Sequence, residues 1–176
     1  QVVVPGNPTL DIQDQITMAA WIQPGPNLTA DWRTVMGKSP TSVLGQNTFS
    51  YDIRTDNTGI LRFSLNIGGW QSILGPTLVE DTWYHVVGTY DGAELVLYLD
   101  GEAIGTTAAS GQTTVTADPF CVGNIVNAAG STNNEYWSGV IDEVALWNRA
   151  IGESEVKRIM TSGLTPAGPA LAPTPD

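Results

Sequence analysis

Short runs of apolar residues alternating with polar ones recur along this chain, and most end at glycine, asparagine or aspartate. Alternation of this kind puts every second side chain on one face of an extended strand. It predicts strands at Ile16–Gln23, Thr34–Lys38, Phe49–Thr55, Leu61–Ile67, Tyr84–Tyr90, Leu95–Leu99, Glu102–Thr107, Phe120–Val122 and Val140–Trp147. Val2, Val3 and Val4 form one more strand-like run. Asp56-Asn57-Thr58-Gly59 joins two strands, Asp91-Gly92 joins two more, and Asp100-Gly101 reverses the chain again. Such residues suit the left-handed backbone of tight turns. Many short antiparallel strands at this spacing predict an all-β, two-sheet sandwich.

A 3.6-residue period occurs once. Val156, Ile159 and Met160 make a single apolar stripe behind Gly152-Glu153-Ser154-Glu155, whose acids suit the positive end of a helix. Gly163 is placed to end this one short C-terminal helix. The predicted domain is residues 1–163. Residues 164–176, LTPAGPALAPTPD, read as a Pro/Ala-rich linker or tail.

The chain has 176 residues, of which 41% are hydrophobic, enough for a core. Charge changes the picture more. Eighteen acids (Asp+Glu 18) against seven bases (Lys+Arg 7) leave a net −11, which repels phosphate backbones and anionic lipid. Nucleic acid and membrane insertion are therefore not expected, and no run approaches the ~20 apolar residues of a membrane helix. The same excess admits hard cations such as calcium. The single cysteine, Cys121, lies between Phe120 and Val122 and reads as buried and structural. The single histidine, His85, shares a strand face with Trp83, Val87 and Thr89 and reads as part of the frame. The chain opens inside a strand-like run, so a longer precursor is expected.

Four blocks carry a resemblance. NPTLDIQDQITMAAWIQP (Asn7–Pro24), TWYHVVGTYDGAELVLYLDGEAIG (Thr82–Gly105), VGN (Val122–Asn124) and SGVIDEVALWNRAIGESEV (Ser138–Val156) stand in an order that resembles a laminin G-like domain. That is the pentraxin-related type of the concanavalin A-like lectin/glucanase superfamily. The resemblance covers roughly residues 1–160. It implies a jelly-roll sandwich of two antiparallel sheets. It also implies a secreted or cell-surface recognition module among other domains of one parent chain, binding a glycan or an extracellular protein, with calcium in some members. Relatives begin with a Gly/Asp-bearing segment that this chain lacks.

Candidate chemistry lies in three places. In IDEV, Asp142 and Glu143 fall on opposite faces of a regular strand, each among apolar neighbours, where an ionised carboxylate is costly unless compensated. Asp142 is thus a candidate calcium ligand, or else a carboxylate tying a loop to the sheet. Opposite faces exclude the two as a catalytic pair. The Glu-x-Asp-x-x-Glu pattern of the superfamily's glucanases is absent, Asp100 and Glu102 flank a turn tip, and no catalytic residue is assigned. Second, Ser50, Asp52 and Arg54 alternate on one predicted strand, and Arg62, Ser64 and Asn66 on the next. One hairpin would set both on one polar face, fit either to bracket sugar hydroxyls or to meet solvent with cross-strand ion pairs.

The third place is tryptophan. Trp21, Trp83 and Trp147 read as core, whereas Trp32, Trp70 and Trp137 lie beside predicted loops, where an exposed indole can stack on a sugar. Asn133, Asn134 and Glu135, in an amide-rich loop before the last strand, are further contacts for ligand or cation. The sequence thus predicts a non-catalytic module that binds glycans through Trp32, Trp70, Trp137, Asp52, Arg54, Arg62, Asn66, Asn133 and Asn134. A protein-adhesion or spacer module and a glycan-cleaving enzyme are the alternatives.

Overall fold

The computed structural model describes residues 1–38, 49–126 and 135–164. Among the described residues eleven strands run in chain order: β1 (Val2–Val4), β2 (Ile16–Pro24), β3 (Arg33–Lys38), β4 (Tyr51–Thr55), β5 (Ile60–Asn66), β6 (Trp70–Thr77), β7 (Tyr84–Tyr90), β8 (Glu94–Leu99), β9 (Glu102–Ala108), β10 (Phe120–Val122) and β11 (Gly139–Trp147). Helix α1 (Glu153–Ser162) follows. Six strands pair in the order β1-β10-β3-β4-β5-β6 and five in the order β11-β2-β7-β8-β9, every pair antiparallel. This is the expected jelly-roll sandwich.

The alternation along each strand fixes which side chains meet between the sheets. Ile16, Met18, Ala20 and Ile22 of β2, Val86 and Tyr90 of β7, and Leu95 and Leu97 of β8 point inward from the five-stranded sheet. They meet Tyr51, Ile53, Leu61, Phe63, Leu65 and Ile73 from the other sheet. A side chain of this size gains about 1.5–3 kcal/mol on full burial, so a one-residue slip of register is prohibitive. The opposite face of the five-stranded sheet is half covered by α1, where Val156 and Ile159 pack on Ala19, Val87, Tyr98 and Ile151. The helix starts behind Gly152, which offers no side-chain cap, and carries Glu153 and Glu155 in its first turn. Arg149 donates to both oxygens of Glu155, at 2.8 and 2.7 Å, and ties that turn to the end of β11.

Four departures from the sequence pattern are informative. Strand β6, WQSILGPT, is not among the strands the alternation predicts; it is the edge of its sheet, where the missing N–H of Pro76 is tolerated. Strand β11 is not regular: a bulge lies between Asp142 and Ala145, and Glu143 takes φ 47°. Both acids are therefore exposed rather than set among apolar neighbours. Trp83 is 43% exposed and meets Trp21 edge to face, with ring centroids 6.4 Å apart, so it is not core. Lys38 is buried, and its ammonium pairs with Asp11 across the sandwich end.

His85 sits under Trp21 (ring centroids 5.2 Å apart) with 3% exposure, and its Nδ1 has no hydrogen-bond partner among the described residues. Burial pushes its pKa down to about 4, while the carboxylate of Asp100 pulls the other way. The unfolded chain takes up a proton at this imidazole near pH 6.5 and the folded one only near 4. Stability is thus lost as pH falls between those values. His85→Leu is expected to shrink that acid-side loss, measured as the difference in urea midpoint between the two ends of the window. An undiminished loss would show that other groups carry it.

Candidate functional site

The β4–β5 hairpin builds a polar wall by register alone. Asp52 faces Ser64 and Arg54 faces Arg62 across the pair. One strand further, Ser64 faces Ser72 and Asn66 faces Trp70. These positions alternate with Ile53, Leu61, Phe63 and Leu65, which are committed to the core, so the polar set must face out. Trp32 and Asp31, just ahead of β3, and Glu135, ahead of β11, close the sides. The result is an open groove of ≈ 550 Å³ lined by these three, Arg54, Arg62, Ser64, Trp70 and Ser72.

Its centre is Arg54. The guanidinium carbon lies 4.7 Å from the Trp32 ring and 4.8 Å from the Trp70 ring, so two indoles bracket it. Arg62 sits 5.2 Å from the same Trp32 ring. Trp70 in turn stacks on Phe49, with centroids 3.2 Å apart. Cation–π contacts of this kind contribute about 0.5–2 kcal/mol each and restrict the cation's movement.

Two arginines directly opposite repel, and each has its own anion. Arg62 donates through Nε and Nη2 to Oδ2 of Asp56, at 3.1 and 2.8 Å. Oδ1 of Asp56 accepts from the backbone of Thr58 and Ile60 and from the Thr58 hydroxyl. Partial burial raises the Asp56 pKa, but these hydrogen bonds and Arg62 outweigh it and hold the group down at about 2. Arg54 is held less closely: Nε is 3.4 Å from Oδ2 of Asp52, and Nη1 is 3.7 Å from Oε2 of Glu135. Asp52 has no exposed surface. Burial pushes its pKa up to about 6, against Arg54, and with Glu135 adding to the rise.

Of the residues singled out in the sequence, Trp32, Trp70, Arg54 and Arg62 converge on this groove, and Asp52 lies beneath it. Trp70 opens strand β6 rather than standing at a loop tip. Asn66 is buried, and its Oδ1 accepts from Gly69 N at 3.0 Å, which makes it the anchor of the β5–β6 turn and not a rim contact. Trp137 is 9% exposed and packs in the core, its Nε1 donating to the Val140 carbonyl at 3.2 Å, so it presents no stacking face. Asn133 and Asn134 lie outside the described residues. Asp142 is on the other sheet. Its Oδ1 accepts from the Glu143 N–H at 2.8 Å, and among the described residues no group of three or more His, Cys, Asp or Glu is placed to hold a metal. Two groove residues, Asp31 and Ser72, go unnoticed in the sequence. Continuing the alternation from Trp70 into β6 would have found Ser72.

Chemically the groove offers guanidinium donors, serine hydroxyls, carboxylate acceptors and indole surface. Asp52, beneath the groove, is pushed toward neutrality but has no exposed surface.

Solved structures share this architecture. A putative carbohydrate binding protein from Bacteroides ovatus superposes with TM-score 0.65 at 22% identity, over 84% of this chain and 41% of that one. The CBM40 domain of a Ruminococcus gnavus IT-sialidase, bound to α2,3 sialyllactose, gives 0.66 at 14% identity over 87% and 86%. A heptameric SAP-like pentraxin from Limulus polyphemus gives 0.61 at 18% identity over 93% and 83%. The chain spans about two fifths of the length of the Bacteroides protein and of a Paraclostridial mosquitocidal toxin's binding domain. Among curated proteins no relative matches. Residues 1–157 match the Laminin_G_3 family model, and the chain belongs to the concanavalin A-like lectin/glucanases superfamily.

Proposed function

We propose that this domain is a non-catalytic glycan-binding module of a secreted or cell-surface protein, and that the groove on the six-stranded sheet is its binding surface. The observation that carries this reading is the convergence of Trp32, Arg54, Arg62 and Trp70 on one open groove. Lectin sites combine an apolar surface for the C–H face of a sugar with fixed donors and acceptors for its hydroxyls, and this groove has both. The similarity to a sialyllactose-bound domain and to a putative carbohydrate binding protein supports the same reading. No helix among the described residues is long and apolar enough to cross a membrane.

The test is a glycan array probed with the purified domain, with and without a chelator. Signal on a subset of glycans is expected. Equal signal in both arms is expected of a groove built from guanidinium, hydroxyl and indole groups, whereas loss of signal with the chelator would place a cation in the binding surface. A folded domain silent on every glycan would overturn the reading in favour of protein adhesion. Release of reducing sugar would overturn the non-catalytic part.

A further inference from the structure

Asp52 is the anomalous group of this groove. It has no exposed surface, and among the described residues neither carboxylate oxygen meets a donor in good hydrogen-bond geometry, although the Ser64 hydroxyl opposite helps to hold its pKa down. Buried carboxylates are ordinarily paired or bonded, so an exception needs an explanation. The sheet is shaped to admit it. Strand β3 carries Gly37 opposite, where a β-carbon would come 2.7 Å from that of Asp52. The charged groups facing Asp52 are Arg54 on its own strand, Arg62 on β5, and Glu135 from the segment ahead of β11. Ser64 opposes it with an uncharged hydroxyl, and β3 offers no charge at that point.

Arg54 is under-used in a matching way. Its Nε has no hydrogen-bond partner among the described residues, and the contacts to Asp52 and Glu135 are longer than hydrogen bonds. The two indoles limit where the guanidinium can go. Two claimants therefore exist for its N–H fork: the carboxylate beneath and an acceptor entering the groove. An ionised Asp52 draws on the guanidinium's charge, and a protonated one does not.

We propose that Asp52 is a proton-linked positioning residue, which on taking up a proton releases the Arg54 fork to the carboxylate of an acidic saccharide bound in the groove. The inference rests on the glycan reading. A carboxylate is the favoured ligand group because a planar guanidinium meets it in two parallel hydrogen bonds, whereas a neutral hydroxyl competes weakly with an anion.

The sign follows from linkage. Asp52 already binds its proton well above the ordinary carboxylate range, at about 6, because burial disfavours its charge. A ligand that prefers the protonated form raises that value further. Affinity therefore rises as pH falls toward about 6 and levels off below it, and binding just above that pH takes up a proton.

Calorimetry with sialyllactose and glucuronate, against lactose and glucose, tests this at about pH 8 and pH 5. Two buffers of different ionisation enthalpy report the proton uptake directly in the native protein. The acidic sugars are expected to bind about tenfold tighter at the lower pH, the effect of a one-unit shift. Asp52→Asn, which mimics the protonated side chain in shape and charge, should bind at the low-pH level throughout, without proton uptake. A purely structural Asp52 would instead make that variant weak at every pH. Acidic sugars bound without pH dependence, a dependence that survives in Asp52→Asn, or preference for the neutral sugars would each overturn the inference and leave the groove reading standing. No binding by any of the four at either pH would remove both.

Discussion

Phe63→Ala is expected to lower the free energy of unfolding by about 4 kcal/mol, the upper range for truncating an aromatic ring in a core. Phe63 projects from β5 across the sandwich with no exposed surface, and its ring lies on the backbone of Gly88 in β7. A β-carbon at Gly88 would overlap that ring. The contact between the sheets is thus ring against bare backbone, which no relaxation of neighbours can refill. The converse change, Gly88→Ala, overpacks the same spot and should itself destabilise by about 2 kcal/mol. Because the two positions touch, their effects should not add. Phe63→Leu/Gly88→Ala is expected to be more stable than the sum of its single changes allows, as read from urea unfolding. Strict additivity would place the ring elsewhere.

Gly88 also shows where the sequence stops speaking. In YHVVGTY the alternation of Val86 and Tyr90 against His85 and Val87 identifies two faces, and both are found packed as expected. The glycine carries no such signal, because what it makes room for arrives from a strand some 25 residues earlier. The candidate site divides along the same line. That Asp52, Arg54, Arg62 and Ser64 share a face follows from period two and one hairpin, both local. That Trp32 and Trp70 stand over Arg54 depends on how β3 and β6 flank that hairpin, which local pattern does not carry. Trp137 and Asp142 depart from their expected places for related reasons. One packs in the core just ahead of β11, and the other is turned outward by the bulge at which Glu143 takes φ 47°.

Arg54→Ala is expected to weaken glycan binding about 100-fold, the loss that ~2.7 kcal/mol represents, a size usual for a central arginine in an aromatic setting. The residue is at once the cation between two indoles and the donor nearest the groove centre, so its removal takes away hydrogen bonds and lets Trp32 and Trp70 lose their common anchor. The change also strands Asp52, a buried carboxylate with one partner fewer. A fall in binding could then reflect local collapse rather than lost contact. Asp52→Asn/Arg54→Ala removes that charge, so the double variant should melt close to the native protein and still fail to bind. Arg54→Lys should recover little, because an ammonium is a point charge without the planar fork that spans the gap between the rings. Trp32→Ala supplies an independent check: it leaves both ion pairs of Arg54 in place and removes one wall, with about tenfold loss expected from a single stacking surface. If calorimetry on the double variant returned native affinity, binding would have to lie off this sheet face, and the exposed Trp83 at the far end of the other sheet would become the surface to mutate next.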